Sequence, residues 1–274
     1  MTWFLLILSL LLLQFHRTLS LAALLATTVS ALFSGVMDWR ALMALWGIIA
    51  IAIAIAYPRT HQHPWLRRGL ALLVVTIATG LIFHLFPGFH NLHYLQPTQA
   101  GPHSAPFSFW LNADKALVPF VLLIIIPQLF VTTPRQRVTR LHWLLLILSV
   151  PALLLLATAA GGLGFELHFP DWLPVFIVAN LFLVSLAEEA LFRGALQQVL
   201  SRRLPPYAAL FIAAAVFGLV HIAGGPLLVV FAALAGVIYG LAWMWSGRLW
   251  VATLFHFGLN LCHLLFFTYP FRIG

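Results

Sequence analysis

The stretch LPVFIVANLFLVSLAEEALFRGALQQVL, residues 173–200, carries two adjacent carboxylates and an arginine inside an otherwise mostly apolar run. The run is long enough to cross a bilayer, since a transmembrane helix needs about 20 mostly apolar residues. Each charged side chain at the centre of a bilayer costs roughly 2.5–3.5 kcal/mol on the insertion scale. Glu188, Glu189 and Arg193 are therefore expected to face the interior of a helix bundle and to find partners there.

The composition of the whole chain is typical of an integral membrane protein. The 274 residues are 63% hydrophobic and 7% charged, with a mean hydropathy of +1.04. Soluble domains carry about 25% charged residues, so the composition excludes that class. The formal net charge is +8, but the 14 basic residues are scattered through short loops. This pattern orients membrane proteins, and we expect no nucleic-acid partner.

Apolar runs of membrane-spanning length recur along the chain and predict an all-α fold. We expect a polytopic transmembrane helical bundle of about nine helices, with a range of eight to ten. The predicted helices are roughly residues 19–36, 40–57, 69–86, 115–132, 141–160, 173–200, 207–222, 226–246 and 249–268. A tenth run, residues 3–15, is short and could either span the bilayer or lie at its interface.

Basic residues predict the orientation of this bundle. Arginines fall at every second connection, in residues 58–68, 133–140, 201–206 and 246–248. The connections between them contain Asp114, Lys115, Glu166 and Asp171 and are not basic. The positive-inside rule places the arginine loops in the cytoplasm. We expect a multi-pass protein of a bacterial inner membrane, with the short carboxyl tail outside.

Polar residues on later helices lie at a depth similar to that of the two carboxylates. With a rise of about 1.5 Å per residue, Glu188 and Asn260 lie about 18 Å from the cytoplasmic ends of their helices, and His221 about 21 Å. His256 is four residues before Asn260, so the two share a helix face. A desolvated carboxylate suits a general base, and imidazole and amide groups can stabilise an oxyanion. The combination indicates a hydrolase.

Each of these polar residues also has a purely structural interpretation. Glu189 and Arg193 are four residues apart and could form an intrahelical ion pair. His221 could be a hydrogen-bonded histidine of the bundle, and Asn260 could join two helices through its amide. These interpretations do not explain why three helices place polar groups at one level.

Three motifs resemble those of the CPBP family, the CAAX prenyl protease and bacteriocin-processing (Abi) intramembrane proteases. Residues 188–193 read Glu-Glu-Ala-Leu-Phe-Arg, residues 217–221 read Phe-Gly-Leu-Val-His, and residues 256–260 read His-Phe-Gly-Leu-Asn. Their order, spacing and apolar context all agree with the family pattern. The resemblance covers roughly residues 173–268. It implies a catalytic helical core at residues 171–270, preceded by membrane helices of unassigned role in residues 1–170.

The resemblance implies a role for each matched residue. Glu188 would activate water with the help of His221, while His256 and Asn260 would stabilise the oxyanion. The residues that would hold this constellation in place are Glu189, Arg193 and Phe217, with Phe217 beneath His221.

The resemblance leaves metal dependence open, because the family has been described both as metalloproteases and as metal-independent glutamate proteases. Glu188, His221 and His256 could hold Zn²⁺. However, the sequence contains no His-Glu-x-x-His helix, and asparagine is a poor zinc ligand. We therefore expect no metal cofactor.

The predicted function is an intramembrane endopeptidase acting on a membrane-associated peptide or protein, with the lipid bilayer as its surroundings. The first alternative is a transporter or immunity protein, because buried Glu, His and Arg side chains also bind solutes and relay protons. The second is a non-catalytic scaffold that keeps the polar network for structure.

Small residues and prolines predict local features of the bundle. Gly236 and Gly240 form a GxxxG step that allows helices to approach closely, and Gly218 does likewise near His221. Pro119, Pro127 and Pro151 are expected to kink their helices. The segment Asn112–Lys115 is expected to cap the helix that follows it. We therefore expect bent helices at the three prolines and closely packed helices at the glycines.

Overall fold

The computed structural model describes residues 1–273, except for the side chain of His61, and these residues are mostly helical. The helices are α1 (Thr2–Leu12), α2 (Arg17–Phe33), α3 (Trp39–Ala56), α4 (Pro58–Gln62), α5 (Pro64–Ile82), α6 (Val118–Leu123), α7 (Arg140–Ala159), α8 (Leu173–Leu200), α9 (Pro206–Leu219), α10 (Pro226–Ser246) and α11 (Leu249–Phe266). The strands β1 (Leu92–Thr98) and β2 (Phe107–Leu111) pair with each other. Helices dominate because a segment in lipid must pair its own backbone groups.

Six of the described helices are long and apolar enough to cross a membrane, namely α3, α5, α7, α8, α10 and α11. Three shorter apolar helices, α1, α2 and α9, have 10–17 residues. The prediction of an all-α polytopic bundle is confirmed, while the count of about nine spanning helices is not.

The helix predicted for residues 115–132 is wrong as a continuous span. A short 3₁₀ turn, Lys115–Leu117, leads into α6, which ends at Leu123. Pro127 follows, and proline both lacks a backbone N–H and disfavours helical geometry at the residue before it. The chain therefore leaves the helix instead of kinking. Arg17 satisfies one exposed acceptor there, since its Nη2 donates to the Pro127 carbonyl at 2.6 Å.

The non-basic connection that leads to Asp114 and Lys115 contains the β1–β2 hairpin. The strands carry aromatic residues that favour extended structure, and Tyr94 meets Phe109 edge-to-face at 6.0 Å between ring centroids. The predicted cap is confirmed at Asp114, whose side chain accepts a hydrogen bond from the Lys115 N–H at 2.8 Å.

The chain forms two compact units. The first comprises Met1–Leu92, Trp110–Leu129 and Phe182–Leu191, and the second comprises His93–Phe109, Phe130–Leu181 and Phe192–Gly274. Within the first unit, α1 packs along α2, with Thr2 and Ser30 joined through their hydroxyls at 2.7 Å. A small apolar core of Ala31, Met37 and Ala41 lies beside them.

Helix α10 packs against α7, α9 and α11 in the second unit. A Cβ on Gly236 would lie 3.1 Å from the Ala214 Cα of α9. A Cβ on Gly218 of α9 would lie 2.6 Å from the Val229 carbonyl oxygen. The predicted close approach at these glycines is confirmed, because no larger residue fits without displacing the backbone.

The arginine loops of the second unit lie together at one end. The backbones of Val131 and Arg248 form an antiparallel β-bridge, and the Arg135 N–H donates to the Met244 carbonyl at 2.9 Å. Tyr207 donates through its hydroxyl to Gln136 at 2.6 Å. The sequence predicted that these loops share one side of the membrane. That this side is cytoplasmic stays a prediction.

A polar cluster joins the non-basic loops and the carboxyl tail of the same unit. Glu166 Oε2 accepts from the Ser104 hydroxyl at 2.6 Å and from His168 Nε2 at 2.9 Å, and Oε1 accepts from the His103 N–H at 2.9 Å. His168 Nδ1 donates to the Leu264 carbonyl at 2.6 Å. Burial opposes ionisation of Glu166, but hydrogen bonds from Ser104, His103 and His168 outweigh it and lower the pKa of this carboxyl below 4.5.

Candidate active site

Glu188 of the first unit pairs with a lysine. Lys115 Nζ donates to Glu188 Oε1 at 2.5 Å, and each side chain is 12% exposed. Glu189, the next residue, is fully buried. The carboxylate predicted as the catalytic base therefore has a cationic partner, which the sequence reading placed in an outer loop.

A buried network fixes the turn that carries this lysine. Asp114 is 1% exposed and accepts from His84 Nδ1 at 2.8 Å, from Asn91 Nδ2 at 3.0 Å and from the Lys115 N–H at 2.8 Å. Asn91 Oδ1 in turn accepts from the Ala113 N–H at 2.8 Å. The side chain of Asp114 and the backbone of Ala113 are thus tied to the segment 84–91.

The helix that bears the two glutamates is irregular around them. The α-helical turn Leu186–Glu189 lies between two π-helical stretches, Asn180–Ser185 and Ala190–Gln197. π-Helical turns are rare and often occur at functional sites. Arg193 lies in the second π-helical stretch. The α-helical rule that residues four apart share a helix face therefore does not apply to Glu189 and Arg193.

His221 of the second unit lies just beyond the end of α9. Its Nδ1 lies 2.7 Å from the Phe217 carbonyl oxygen, which can only accept, so Nδ1 carries the proton that it donates. This leaves Nε2 as the ring atom that can accept a hydrogen bond or a proton. The arrangement suits a histidine that helps to orient or activate water.

Phe217 contacts several predicted site residues in this unit. Its ring centroid lies 4.8 Å from that of His221 and 5.7 Å from that of His256, with the latter pair perpendicular. The guanidinium carbon of Arg193, a fully buried residue, lies 5.1 Å above the Phe217 ring. Aromatic contact fixes ring orientation in such clusters.

Tyr239 of α10 completes the cluster. Its ring stacks on His256 with centroids 4.6 Å apart and planes at 10°. The guanidinium carbon of Arg193 lies 5.7 Å from the centroid of the Tyr239 ring. Both Tyr239 and His256 are buried. The imidazole predicted to stabilise an oxyanion is therefore held by ring packing.

Asn260 forms a hydrogen bond with a second asparagine. Its Nδ2 donates to Asn180 Oδ1 at 3.2 Å, which connects α11 to the first π-helical stretch of α8. The contact agrees with the helix-joining interpretation of Asn260 and leaves an amide hydrogen for another acceptor.

The predicted site residues are distributed between the two units. Glu188 and Glu189 belong to the first unit. The second unit brings Arg193, Phe217, His221 and His256 into one cluster. The predicted convergence of all seven residues stays a prediction.

Three residues that contact predicted site residues were not predicted from the sequence, namely Lys115, Tyr239 and Asn180. One signal was available, because Lys115 is the only lysine in the chain and lies beside an aspartate. Asn180 interrupts an apolar run, which is a second signal. Tyr239 lies inside the GxxxG step and carries no separate signal.

Among the described side chains, which do not include that of His61, there is no group of three or more His, Cys, Asp or Glu placed to hold a metal ion. His221 also commits Nδ1 to a backbone carbonyl. That the reaction needs no metal stays a prediction.

Comparison with known proteins shows what this region is similar to. The profile of the Rce1-like family, described as type II CAAX prenyl endopeptidase, matches residues 170–262. No curated protein and no solved structure matches the chain. The matched range includes all three motifs and excludes Lys115. Residues 170–262, about a third of the chain, are therefore similar to the Rce1-like family of type II CAAX prenyl endopeptidases, and this similarity supports an intramembrane protease of the CPBP type.

Proposed function

We propose that the chain hydrolyses a peptide bond in a membrane-associated substrate with Glu188 as general base. His221 helps to orient the attacking water through Nε2. His256 and Asn260 stabilise the oxyanion, and Glu189, Arg193 and Phe217 hold the site in place. The observation that carries the proposal is the family match, since it includes each of these residues.

The proposed reaction includes two proton transfers, one from water to Glu188 and one from Glu188 to the leaving nitrogen. Glu188 takes a proton from water as the water oxygen bonds to the scissile carbonyl carbon, and the carbonyl π electrons move onto oxygen. Hydrogen bonds from the His256 ring and the Asn260 amide stabilise the resulting oxyanion. The tetrahedral intermediate collapses, the C–N bond breaks, and Glu188 returns its proton to the leaving nitrogen. The products are a carboxylic acid and an amine.

Contacts in the second unit support these roles. His221 donates through Nδ1 to Phe217, which leaves Nε2 for water. His256 is fixed between Phe217 and Tyr239, so its ring need not reorganise when the oxyanion forms. The amide of Asn260 donates a hydrogen bond to Asn180, which fixes the orientation of the Asn260 side chain.

We infer a substrate that reaches the site from within or beside the membrane. The family name points to peptides with a prenylated carboxyl-terminal CAAX sequence, and leader peptides and membrane regulators are the other classes to test. The membrane expected is a bacterial inner membrane.

The decisive experiment compares membrane peptides by mass spectrometry from cells that make the wild type, Glu188→Ala or Asp171→Ala. Asp171 is an exposed carboxylate outside the proposed site and serves as the matched control. A product present with the wild type and Asp171→Ala, but absent with Glu188→Ala, supports the proposal and names the bond. Equal products in all three overturn the role of Glu188. A changed proton or solute flux without cleavage favours the transporter.

A further inference from the structure

Lys115 places its ammonium group on Glu188. Its Nζ lies 2.5 Å from Oε1, and the two side chains are equally buried. The two residues are 73 positions apart, so the pair depends on tertiary packing. Lys115 also lies outside residues 170–262, the range that the family profile matches.

The lysine is held before any substrate arrives. Asp114, one residue earlier, is anchored by His84 and Asn91, and it caps the 3₁₀ turn Lys115–Leu117. Helix α6, which also packs against the Glu188 turn, reads VPFVLL and has no ionisable side chain. Among the described contacts of this unit, Lys115 is a cation paired with Glu188, while Asp114 lies on the same turn as Lys115 and Glu189 follows Glu188 on its own helix.

We propose that Lys115 is a positioning residue that keeps Glu188 ionised and correctly oriented for proton abstraction. This inference rests on the proposed function, because it assigns Lys115 to the base of that reaction. A carboxylate surrounded by apolar groups takes up a proton unless a counter-charge lies close by. A protonated Glu188 could not accept a proton from water.

The choice of lysine over arginine fits this role. An ammonium is a compact charge, and Lys115 contacts a single carboxylate oxygen, Oε1 of Glu188. A guanidinium tends to bind both carboxylate oxygens in a bidentate pair. We therefore expect Lys115→Arg to keep Glu188 ionised while reducing its access to water.

Infrared spectroscopy tests the charge directly on the purified full chain in lipid nanodiscs. Lys115→Met is expected to create a carboxylic-acid C=O band at neutral pH that is absent in the wild type. The band should vanish in Lys115→Met/Glu188→Gln and should not appear in Lys115→Arg. Arg67→Met, which removes an exposed cation, is the matched control and should show no band. A Lys115→Met spectrum without a band that depends on Glu188 overturns the proposal, as does the band in Lys115→Arg.

Kinetics on a peptide identified by the mass-spectrometric comparison provide the second readout. Lys115→Met is expected to lower kcat at least about tenfold with little change in KM, a part of the roughly 10²–10⁴-fold that a positioned base contributes. Lys115→Arg should retain an intermediate kcat. A raised KM with unchanged kcat overturns the positioning role.

The two hypotheses fail in different ways. If Glu188→Gln hydrolyses the peptide at the wild-type rate, the proposed base is wrong whatever the infrared spectra show. If Glu188→Gln is inactive while Lys115→Met keeps the wild-type kcat and shows no acid band, only the inference about Lys115 is wrong. Should Lys115→Met fail to fold, Lys115→Arg still decides the matter through its spectrum and kcat.

Discussion

The ring of Tyr239 lies nearly parallel to the imidazole of His256, with centroids 4.6 Å apart and planes at 10°. Phe217 meets the same imidazole at 90° and 5.7 Å. Two aromatic side chains therefore restrict His256 in two directions. A histidine held in this way can present a hydrogen bond to a developing oxyanion without first changing its orientation.

Replacing the stacked tyrosine should lower catalysis without abolishing it. Aromatic pairs contribute about 0.5–1.5 kcal/mol beyond area burial, which corresponds to a roughly two- to thirteenfold fall in kcat for Tyr239→Leu. Tyr239→Phe keeps the ring and should stay nearer the wild type. Tyr57→Leu, at an exposed tyrosine, is the control. Identical kcat values for Tyr239→Leu and the wild type would show that the stack does not matter.

A single methyl group should have opposite effects at two helical glycines. Gly218→Ala places a Cβ 2.6 Å from the Val229 carbonyl oxygen, whereas Gly47→Ala meets nothing within 4 Å. Overpacking costs about 1–3 kcal/mol, and a helical Gly→Ala change in open space gains about 0.5–1 kcal/mol. Thermal unfolding in detergent should therefore show a lower Tm for Gly218→Ala and an equal or higher Tm for Gly47→Ala. A stabilised Gly218→Ala protein would contradict the close packing of α9 on α10.

The polar cluster around Glu166 should make stability depend on pH. The pKa of Glu166 is lowered from its ordinary value of 4.5, so the folded state binds this proton more weakly than the unfolded state does. The carboxylate therefore stabilises the fold above pH 4.5, and this contribution is lost as pH falls through the folded-state pKa. Glu166→Gln should lower Tm at pH 7, and the deficit should shrink in acid.

The same titration with Asp171→Asn provides the comparison for the Glu166 experiment, because Asp171 is an exposed carboxylate of the same loop. That variant should show little change in Tm at either pH. A Glu166→Gln deficit that grows as the pH falls would contradict the assigned sign.

Chelators are expected to leave hydrolysis unchanged. The proposed base acts on water directly, and His221 commits one ring nitrogen to the Phe217 carbonyl. Hydrolysis by purified protein should persist after prolonged treatment with EDTA and with 1,10-phenanthroline, while a zinc peptidase treated in parallel loses its activity. Loss of hydrolysis that added Zn²⁺ restores would overturn the metal-independent mechanism.

Long apolar runs could be located from the sequence with small errors. The runs expected at 141–160 and 226–246 are Arg140–Ala159 and Pro226–Ser246 in the structure. Lipid forces such a run to pair its own backbone, so its length and composition suffice to predict a helix. The motif residues could be identified for a similar reason. A charged side chain within such a run is energetically costly, so it is usually paired or functional.

Features that depend on distant packing could not be predicted in this way. The partner of Glu188 lies 73 residues earlier, next to a helix whose end is set by Pro127. The π-helical stretches Asn180–Ser185 and Ala190–Gln197 could not be recognised from hydrophobic periodicity, because the run that contains them is mostly apolar. Tyr239 looked like a spacer between two glycines, and only the position of α11 shows that it contacts His256.

Because Lys115 is the only side-chain amine of the chain, chemistry directed at lysine becomes a site-specific tool. Reductive methylation with ¹³C-formaldehyde would place one pair of isotope-labelled methyl groups beside Glu188, and their NMR shift would report on the protonation of its surroundings. Amine-coupled dyes and glutaraldehyde supports carry the corresponding risk, since any side-chain attachment that succeeds must occur at this same position.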